Sequence, residues 1–402
     1  MGRPLAGLCL GLLLTTSACW GGLPAPSWPT TTNAVVLADL DGDSDLDAFL
    51  VNGKAEGAAG NTVWINQGGA QAGKLGAFRD SGQMLGEAPY QDAAIGDLNG
   101  DSQPEVLAST GGGMELYLHL GNSAPLFQVS NANLTAGADW SGNMPLALGD
   151  LNGDGYLDAF VGNCCGFGSS NGTQIVPYPP SNTVWLNDPQ QPGRLRVGQR
   201  QFTAGTVDVA LGDVDGDGDL DAVTANLTLS QPPIAGPQKG NVWLNDGAGR
   251  FQNTGQQLGA PANQSVALGD LDGDGDLDVF MGANDGPATI WLNDGLGHFI
   301  DSGQALGKGQ TRRIFLGDVD GDGDVDALLD RLESGANYGE IWLNNGSASF
   351  TNSGQRLAGD ARCSLALGDV DGDSHLDVLI GCPNDVQVWR HNGTGKFVRQ
   401  PP

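Results

Sequence analysis

The chain has 402 residues, 65 of them glycine, and a formal net charge of −29 although only 16% of its residues are charged. A nucleic-acid partner is excluded, because such binding needs clustered Lys and Arg to displace counterions, and long helices are disfavoured because each interior glycine costs about 1 kcal/mol. With 39% of the chain hydrophobic and patterned, disorder is excluded too, leaving a glycine-punctuated β protein built as two or three domains or as one repeat array.

In chain order, residues 1–19 look like a bacterial export signal, with Arg3 as the positive start and Leu5 to Leu14 as an apolar core too short to span a bilayer. Thr16-Ser17-Ala18 precedes Cys19 in the manner of a lipoprotein processing site, although Thr16 stands where that motif prefers Leu. Two outcomes stay open: a lipid tether on Cys19, or ordinary cleavage near Ala18 or Ala25. Residues 20–32, with Pro24, Pro26 and Pro29 among threonines, read as a linker. Residues 33–400 then repeat.

Seven nine-residue windows, beginning at Asp39, Asp97, Asp150, Asp213, Asp270, Asp318 and Asp369, hold 30 of the 47 acidic residues. The other 17 acids face 18 Lys and Arg, so the chain is a neutral scaffold with seven acidic loops. The windows start 58, 53, 63, 57, 48 and 51 residues apart, a period that points to a propeller. Each period predicts four strands: an apolar one before the acidic loop, an apolar one after it, a third with a large aromatic, and a fourth after an Asn/Asp-Gly turn. The third-strand aromatics are Trp64, Tyr117, Trp185, Trp243, Trp291, Trp342 and Trp389, and the fourth-strand ones are Phe78, Phe127, Phe202, Phe251, Phe299, Phe350 and Phe397. Seven such sheets bury their apolar faces only against one another, so the expected fold is an all-β, seven-bladed propeller of four-stranded blades, these aromatics forming the core between blades. No strand exchange is needed to close the ring.

Each acidic loop places oxygen-bearing residues at alternate positions around a tight curl, as a hard divalent cation requires, and Ca²⁺ tolerates irregular oxygen geometry where Mg²⁺ does not. Position 1 is Asp39, Asp97, Asp150, Asp213, Asp270, Asp318 or Asp369; position 3 is Asp41, Asn99, Asn152, Asp215, Asp272, Asp320 or Asp371. Position 5 is Asp43, Asp101, Asp154, Asp217, Asp274, Asp322 or Asp373; position 9 is Asp47, Glu105, Asp158, Asp221, Asp278, Asp326 or Asp377. Position 7 is chemically variable (Asp45, Gln103, Tyr156, Asp219, Asp276, Asp324, His375), which suits a backbone carbonyl ligand. An EF-hand would close at position 12 with a Glu, where the fourth loop has Thr224 and the first Leu50. The second and third loops, with Asn at position 3, are expected to be weaker sites. Carboxylates this close repel by about 4 kcal/mol per pair at 4 Å and an effective dielectric of 20, so up to seven Ca²⁺ ions are expected to stabilise the fold by mass action.

These loops, of which ALGDVDGDGDLDA is the cleanest, resemble the calcium-binding FG-GAP repeats of integrin α-subunit propellers. They are closer still to bacterial repeat proteins of the FG-GAP/VCBS type. The resemblance spans about residues 33–400 and implies a calcium-binding propeller of the cell surface.

Outside the leader, Cys363 and Cys382 flank the seventh loop at positions that oppose on a hairpin, within disulfide reach; Cys164-Cys165 is a vicinal disulfide or a reduced pair. The four histidines, His119, His298, His375 and His391, form no catalytic motif: His298 and His391 are placed at turns. Gly168-Ser-Ser170-Asn-Gly172 matches a nucleophile-elbow string but falls in a glycine-rich loop rather than between strand and helix. The loops Gly53–Asn61, Asn163–Asn182, Ala225–Asn241 and Asp330–Glu340 fall on the face opposite the metal loops, with Tyr90, Trp140, Phe167, Tyr178, Arg312, Arg313 and Tyr338 as exposed candidates. The leading reading is a non-catalytic, monomeric, exported module that binds a glycan or a protein there. The alternative is a carbohydrate-active enzyme, a polysaccharide lyase or sugar dehydratase, using Arg312 and Arg313 with Asp92 or Asp139.

Overall fold

In the computed structural model, residues 31–53, 60–110, 113–121, 126–130, 134, 144–164, 167–170, 174–177, 181–202, 205–227, 238–333, 336–358, 362–393 and 395–400 are described. The leader, Cys19, most of the linker, Cys165, Asp139 and Trp140 lie outside them, as do the side chains of Phe167, Tyr178 and Phe202.

Seven four-stranded antiparallel sheets follow one another along the chain, as the repeat predicts; six are made of consecutive strands, and blade 3 is interrupted by an inserted hairpin. Blade 5 shows the pattern: first strand Asn263–Gly269, second Asp278–Ala283, third Ala288–Leu292, fourth Ile300–Leu306. The first strand begins near the ring axis and runs toward its acidic loop. The second is buried at every position, because both of its faces meet neighbouring blades, and so its sequence is a continuous apolar run rather than an alternating one. The fourth is the exposed outer edge. Among the described residues the only helical element is one 3₁₀ turn, Gly69–Gln71, and no helix is long and apolar enough to cross a membrane.

The aromatics do pack between blades. Phe49 of blade 1 meets Phe127 of blade 2, Phe160 of blade 3 meets Phe251 of blade 4, and Phe280 of blade 5 meets Phe350 of blade 6, all edge to face with centroids 6.4, 5.3 and 5.5 Å apart. Room for four of the six third-strand indoles comes from an alanine in register, Trp64 opposite Ala48, Trp185 opposite Ala159, Trp243 opposite Ala222 and Trp342 opposite Ala327, while Trp291 and Trp389 face Val279 and Val378.

Blade 3 departs from the expected register. Its fourth strand is long, Gln191–Phe202, and Asn187 pairs with Leu195, where Asn245 of blade 4 has Phe251 nearby as its partner. Leu195, 6% exposed and packed in one cluster with Trp185, therefore fills the core position expected for Phe202, which lies at the far end of the strand opposite Ser181. Blade 3 also carries a small inserted hairpin, Phe167–Ser170 paired with Gln174–Pro177. It occupies the expected glycine-rich loop and follows Ser170 with a strand, not with the helix a nucleophile elbow needs. Asp330–Glu340 is not a loop either: the strands Asp326–Glu333 and Ala336–Leu343 extend through it.

Blade 7, Ser364 to Arg399, and blade 1, Thr31 to Leu85, are each complete from their own segment. Thr31 and Thr32 of the expected linker join the first strand, and the Thr32 N–H donates to the Arg362 carbonyl at 2.7 Å. Cys363 and Cys382 form the expected disulfide, their Cα atoms 4.3 Å apart. Cys164 is also disulfide-bonded.

Candidate functional site

All seven acidic loops share one backbone path. Loop 4 is typical. The position-1 carboxylate of Asp213 accepts the N–H groups of Gly216 and Gly218 at 2.8 and 3.0 Å, curling the chain around it. Position 4 is glycine in every loop, with φ between 71° and 85°. Position 6 is also left-handed, as glycine in four loops and as Ser44, Ser102 and Ser374 in the others.

The position-9 acid is the structural root of each loop. Asp221 is fully buried, and its two oxygens accept the N–H of Val214, inside the loop, and of Asn245, at the end of the third strand, at 3.0 and 2.8 Å. Asp47, Glu105, Asp158, Asp278, Asp326 and Asp377 are equally buried. Burial pushes these acids up, to about 8 for Asp47, about 7 for Glu105 and about 6 for the other five, and the backbone N–H donors only partly offset it.

Whether these residues suit a cation can be judged from the oxygens themselves. Carboxylates of Asp213, Asp215 and Asp221 lie within 4.8 Å of one another, as do those of Asp270, Asp272 and Asp278, of Asp318, Asp320 and Asp326, and of Asp369, Asp371 and Asp377. In loop 1 the group is Asp39, Asp41 and Asp43. Buried Oδ1 atoms of Asp41, Asp272 and Asp371 have no hydrogen-bond donor. Position-3 carboxyls are raised by burial first; in loops 1, 4, 5 and 6 the negative neighbour at position 5 comes next. An all-oxygen set short of positive charge fits a hard divalent cation, and these five clusters could hold a metal ion.

Loop 2 resolves the same crowding differently. The Asn99 side-chain amide donates to Asp101 Oδ2 and Glu105 Oε1 at 3.1 and 2.8 Å, so a neutral donor bridges two acids. In loop 3, Asn152 accepts the Asp154 N–H at 3.0 Å. The side chains at position 7 turn away: a Cβ added at Gly247, Gly295 or Gly346, each in the hairpin turn of its own blade, would lie 2.4–2.6 Å from an oxygen of Asp219, Asp276 or Asp324. Asp45 stands likewise against Gly68, and His375 hydrogen-bonds Asp373 at 3.2 Å.

Six of the seven loops are also fastened to the next blade, a feature the sequence reading missed. The residue two after the third-strand aromatic carries a side chain that donates to the position-2 carbonyl of the preceding blade's loop. Asn66 reaches Val370, Asn187 reaches Leu98, Asn245 reaches Leu151, Asn293 reaches Val214 and Asn344 reaches Leu271, at 2.7–2.9 Å. His119 does so through Nε2 to Leu40, at 2.8 Å. His391, expected at a turn, ends the third strand of blade 7 and is 4% exposed, its N–H bound to Asp377. A second set runs along the outer edge, where Gln83, Gln199, Gln256, Gln304 and Gln355 each bond backbone beside the fourth-strand Phe of the next blade. The recurrent W-x-N and S/T-G-Q strings were the available signals.

On the opposite face the first strands converge. A cavity of about 210 Å³ is lined by Asn33, Gln91, Asp92, Pro145, Val207, Asp208, Gln264, Arg312 and Arg313, which come from the first strands of five blades and the approach to a sixth. A β-bulge falls at Asn33, Gln91, Val207, Gln264 and Arg312, breaking register in five first strands at the same level. Bulges re-aim side chains, and here they turn them toward the axis. Arg313 of blade 6 crosses to Asp92 of blade 2 at 2.9 Å. Asp92 Oδ2 takes the Leu146 N–H, and Asp208 takes those of Val209 and Val266. Burial raises Asp208 to about 7 against the pull of Arg313; burial opposes the Arg313 charge, but Asp92 and Asp208 outweigh it and raise its pKa. Fully buried Asp330, paired in register with Arg313, is pushed up to about 6 by burial, with Arg312 and Arg313 offsetting part.

Arg312 and Arg313 are thus not loop residues but strand residues at the axis. Tyr90 and Tyr338, expected to be exposed, are 0% and 7% accessible. The Tyr90 hydroxyl donates to Glu115 at 2.6 Å within blade 2, and Tyr338 lies on the third strand of blade 6 under the Arg356 guanidinium.

The FG-GAP-like repeat family matches residues 97–161, 234–281 and 270–329. No curated protein matches the chain. Among solved structures, an Agrocybe aegerita lectin described by its specific recognition of non-reducing terminal N-acetylglucosamine is 19% identical, with a TM-score of 0.54 over 89% of this chain and 87% of that one. BBS1N in complex with ARL6DN, in crystals soaked with lead and with mercury, is 12% identical, with a TM-score of 0.54 over 91% of this chain and 94% of that one. The matched repeats, together with the seven four-stranded blades, support an FG-GAP repeat propeller.

Proposed function

We propose that this propeller is an exported, calcium-stabilised, non-catalytic module that binds a glycan on the face opposite its acidic loops. The observation that carries the reading is the concave, polar axial cavity, built on a rigid disc from many blades at once. Its acid Asp92 is a poor candidate for a general base, since one oxygen holds Arg313 and the other a backbone N–H. The lectin among the structural neighbours is consistent with a binding role for this fold. Export accords with the Cys363–Cys382 disulfide, a bond that persists in oxidising compartments, and with the leader. Calcium is the expected ion for the loops because their donors are all oxygen and Ca²⁺ tolerates irregular oxygen geometry, and extracellular calcium modules commonly bind at about 10⁻⁴–10⁻³ M.

The test incubates the mature chain, with calcium, with a panel of polysaccharides and cell-envelope fractions, and reads retained material by mass spectrometry. Retention of an unaltered glycan that a chelator abolishes supports the reading. A chemically altered sugar overturns it in favour of an enzyme, and retention of protein alone replaces the glycan with a protein partner.

A further inference from the structure

The axial cavity has a charge balance unlike that of any acidic loop. Its lining holds two arginines and two aspartates, with Arg313 already paired to Asp92. An anion entering would compete with Asp92 for Arg313, and a cation would compete with Arg313 for the acids. A neutral polyol breaks neither pair, because each hydroxyl both donates and accepts and so fits between guanidinium, carboxylate and amide.

Size and preorganisation narrow the choice. The cavity, about 210 Å³, falls below the roughly 300–1,000 Å³ of pockets for drug-sized ligands, so it admits a single ring. Pro145 and Val207 give it an apolar wall for ring C–H groups. Asp92 and Asp208 are fixed by backbone N–H groups of the next blade, at 3.1 Å from Leu146 and 3.0 Å from Val266. Two donors remain adjustable: Arg312 spends one N–H on the Cys363 carbonyl at 3.4 Å, and among the described residues the Gln91 amide has no hydrogen-bond partner.

We propose that the axial cavity is a binding site for one ring of a neutral sugar, held by Arg312 and Gln91 against the fixed carboxylates of Asp92 and Asp208. The proposal rests on the glycan reading above and assigns it a place and a chemistry.

The experiment uses the full chain with calcium and titrates methyl glycosides of neutral hexoses and N-acetylhexosamines by saturation-transfer NMR and calorimetry, with glucuronate and inorganic phosphate as anionic probes. Gln91→Ala and Arg312→Ala are the variants, since neither side chain belongs to the Arg313–Asp92 pair, and a thermal melt confirms that each folds. A neutral glycoside is expected to bind, and each variant to weaken it by about tenfold, the loss of one charge-assisted or well-placed hydrogen bond. Binding to neutral sugars that both variants retain in full removes the axial site but leaves the glycan reading standing. Binding of glucuronate or phosphate alone overturns the neutral-ligand assignment. Failure of every glycoside and every polysaccharide to bind removes both.

Discussion

At the loop face, Asp270, Asp272 and Asp278 gather three carboxylates within 4.8 Å, and the strongest charges acting on Asp272 are those of Asp274 and Asp270. At the axial mouth, Asp92 and Asp208 are as tightly held by backbone N–H groups, but they share Arg313. Both regions bury acids against backbone donors; only one supplies its own counter-charge. Five of the loops therefore present carboxylate clusters that could take a cation from solvent, whereas the cavity is balanced in charge and open to a neutral partner. Loop 2 is the intermediate case, its Asn99 amide bridging Asp101 and Glu105 where loop 5 has only carboxylates. Loop 7 is another, since Arg390 pairs with Asp371 at 2.7 Å.

The strongest way to break this contrast is to remove the cation. Chelation is expected to lower the melting temperature by on the order of 10 °C, restored by millimolar Ca²⁺, as several loops each lose a ligand that binds only the folded form. Hydrogen exchange then locates the loss: loops 4, 5 and 6 should open in chelator while loop 2 and the first strands around the cavity stay protected. Equal protection in calcium and chelator would mean that the loops are self-sufficient acidic turns.

Next in size is the root of the loop. Asp278→Ala strands the buried N–H groups of Leu271 and Asn293, which now give their bonds to Asp278 at 2.9 and 2.8 Å. A cost of about 2–4 kcal/mol is expected from two unsatisfied buried donors, in calcium and in chelator alike. Glu105→Ala in loop 2 should cost as much. Were the Asp278 effect to vanish in chelator, that acid would be acting only as a ligand.

The smaller exchange is between loops. Asp272→Asn gives loop 5 the amide of loop 2; calorimetry should count one calcium ion fewer, with little change in stability in chelator. Asn99→Asp is the converse, adding calcium dependence to blade 2.

Much of this was legible in the chain. Seven acidic windows at a period near 50, with one aromatic on each third strand, specify the blades because a propeller repeats the same burial problem seven times. Phe202 misled because blade 3 lengthens its fourth strand, so that Leu195 reaches the core position first. The inter-blade amides repeat in sequence too, but Asn66 and Asn245 look like turn residues until the neighbouring carbonyl is seen. The cavity was least legible. Its lining is scattered from Asn33 to Arg313, and the bulges that turn those residues inward leave no compositional mark.

The smallest expected effect tests the other half of the contrast, that the axial acids are balanced but not without cost. Asp330 is fully buried, and its carboxylate oxygens have no well-formed hydrogen bond, only the weak, pKa-lowering approach of the Asn337 side chain. Its folded pKa is raised to about 6 from an ordinary 3.8, burial outweighing Arg312 and Arg313. A raised carboxyl favours the folded state while protonated; that stabilisation is complete below the ordinary value and is lost as pH rises through about 6. Asp330→Asn, which removes the charge at constant shape, should therefore raise the melting temperature by on the order of 1–2 °C at pH 8, and the gain should shrink toward zero near pH 4. The calcium count should not move. A variant less stable than the parent at pH 8 would show that attraction to the two arginines exceeds the burial penalty, making Asp330 part of the cavity's charge balance rather than a strain beneath it.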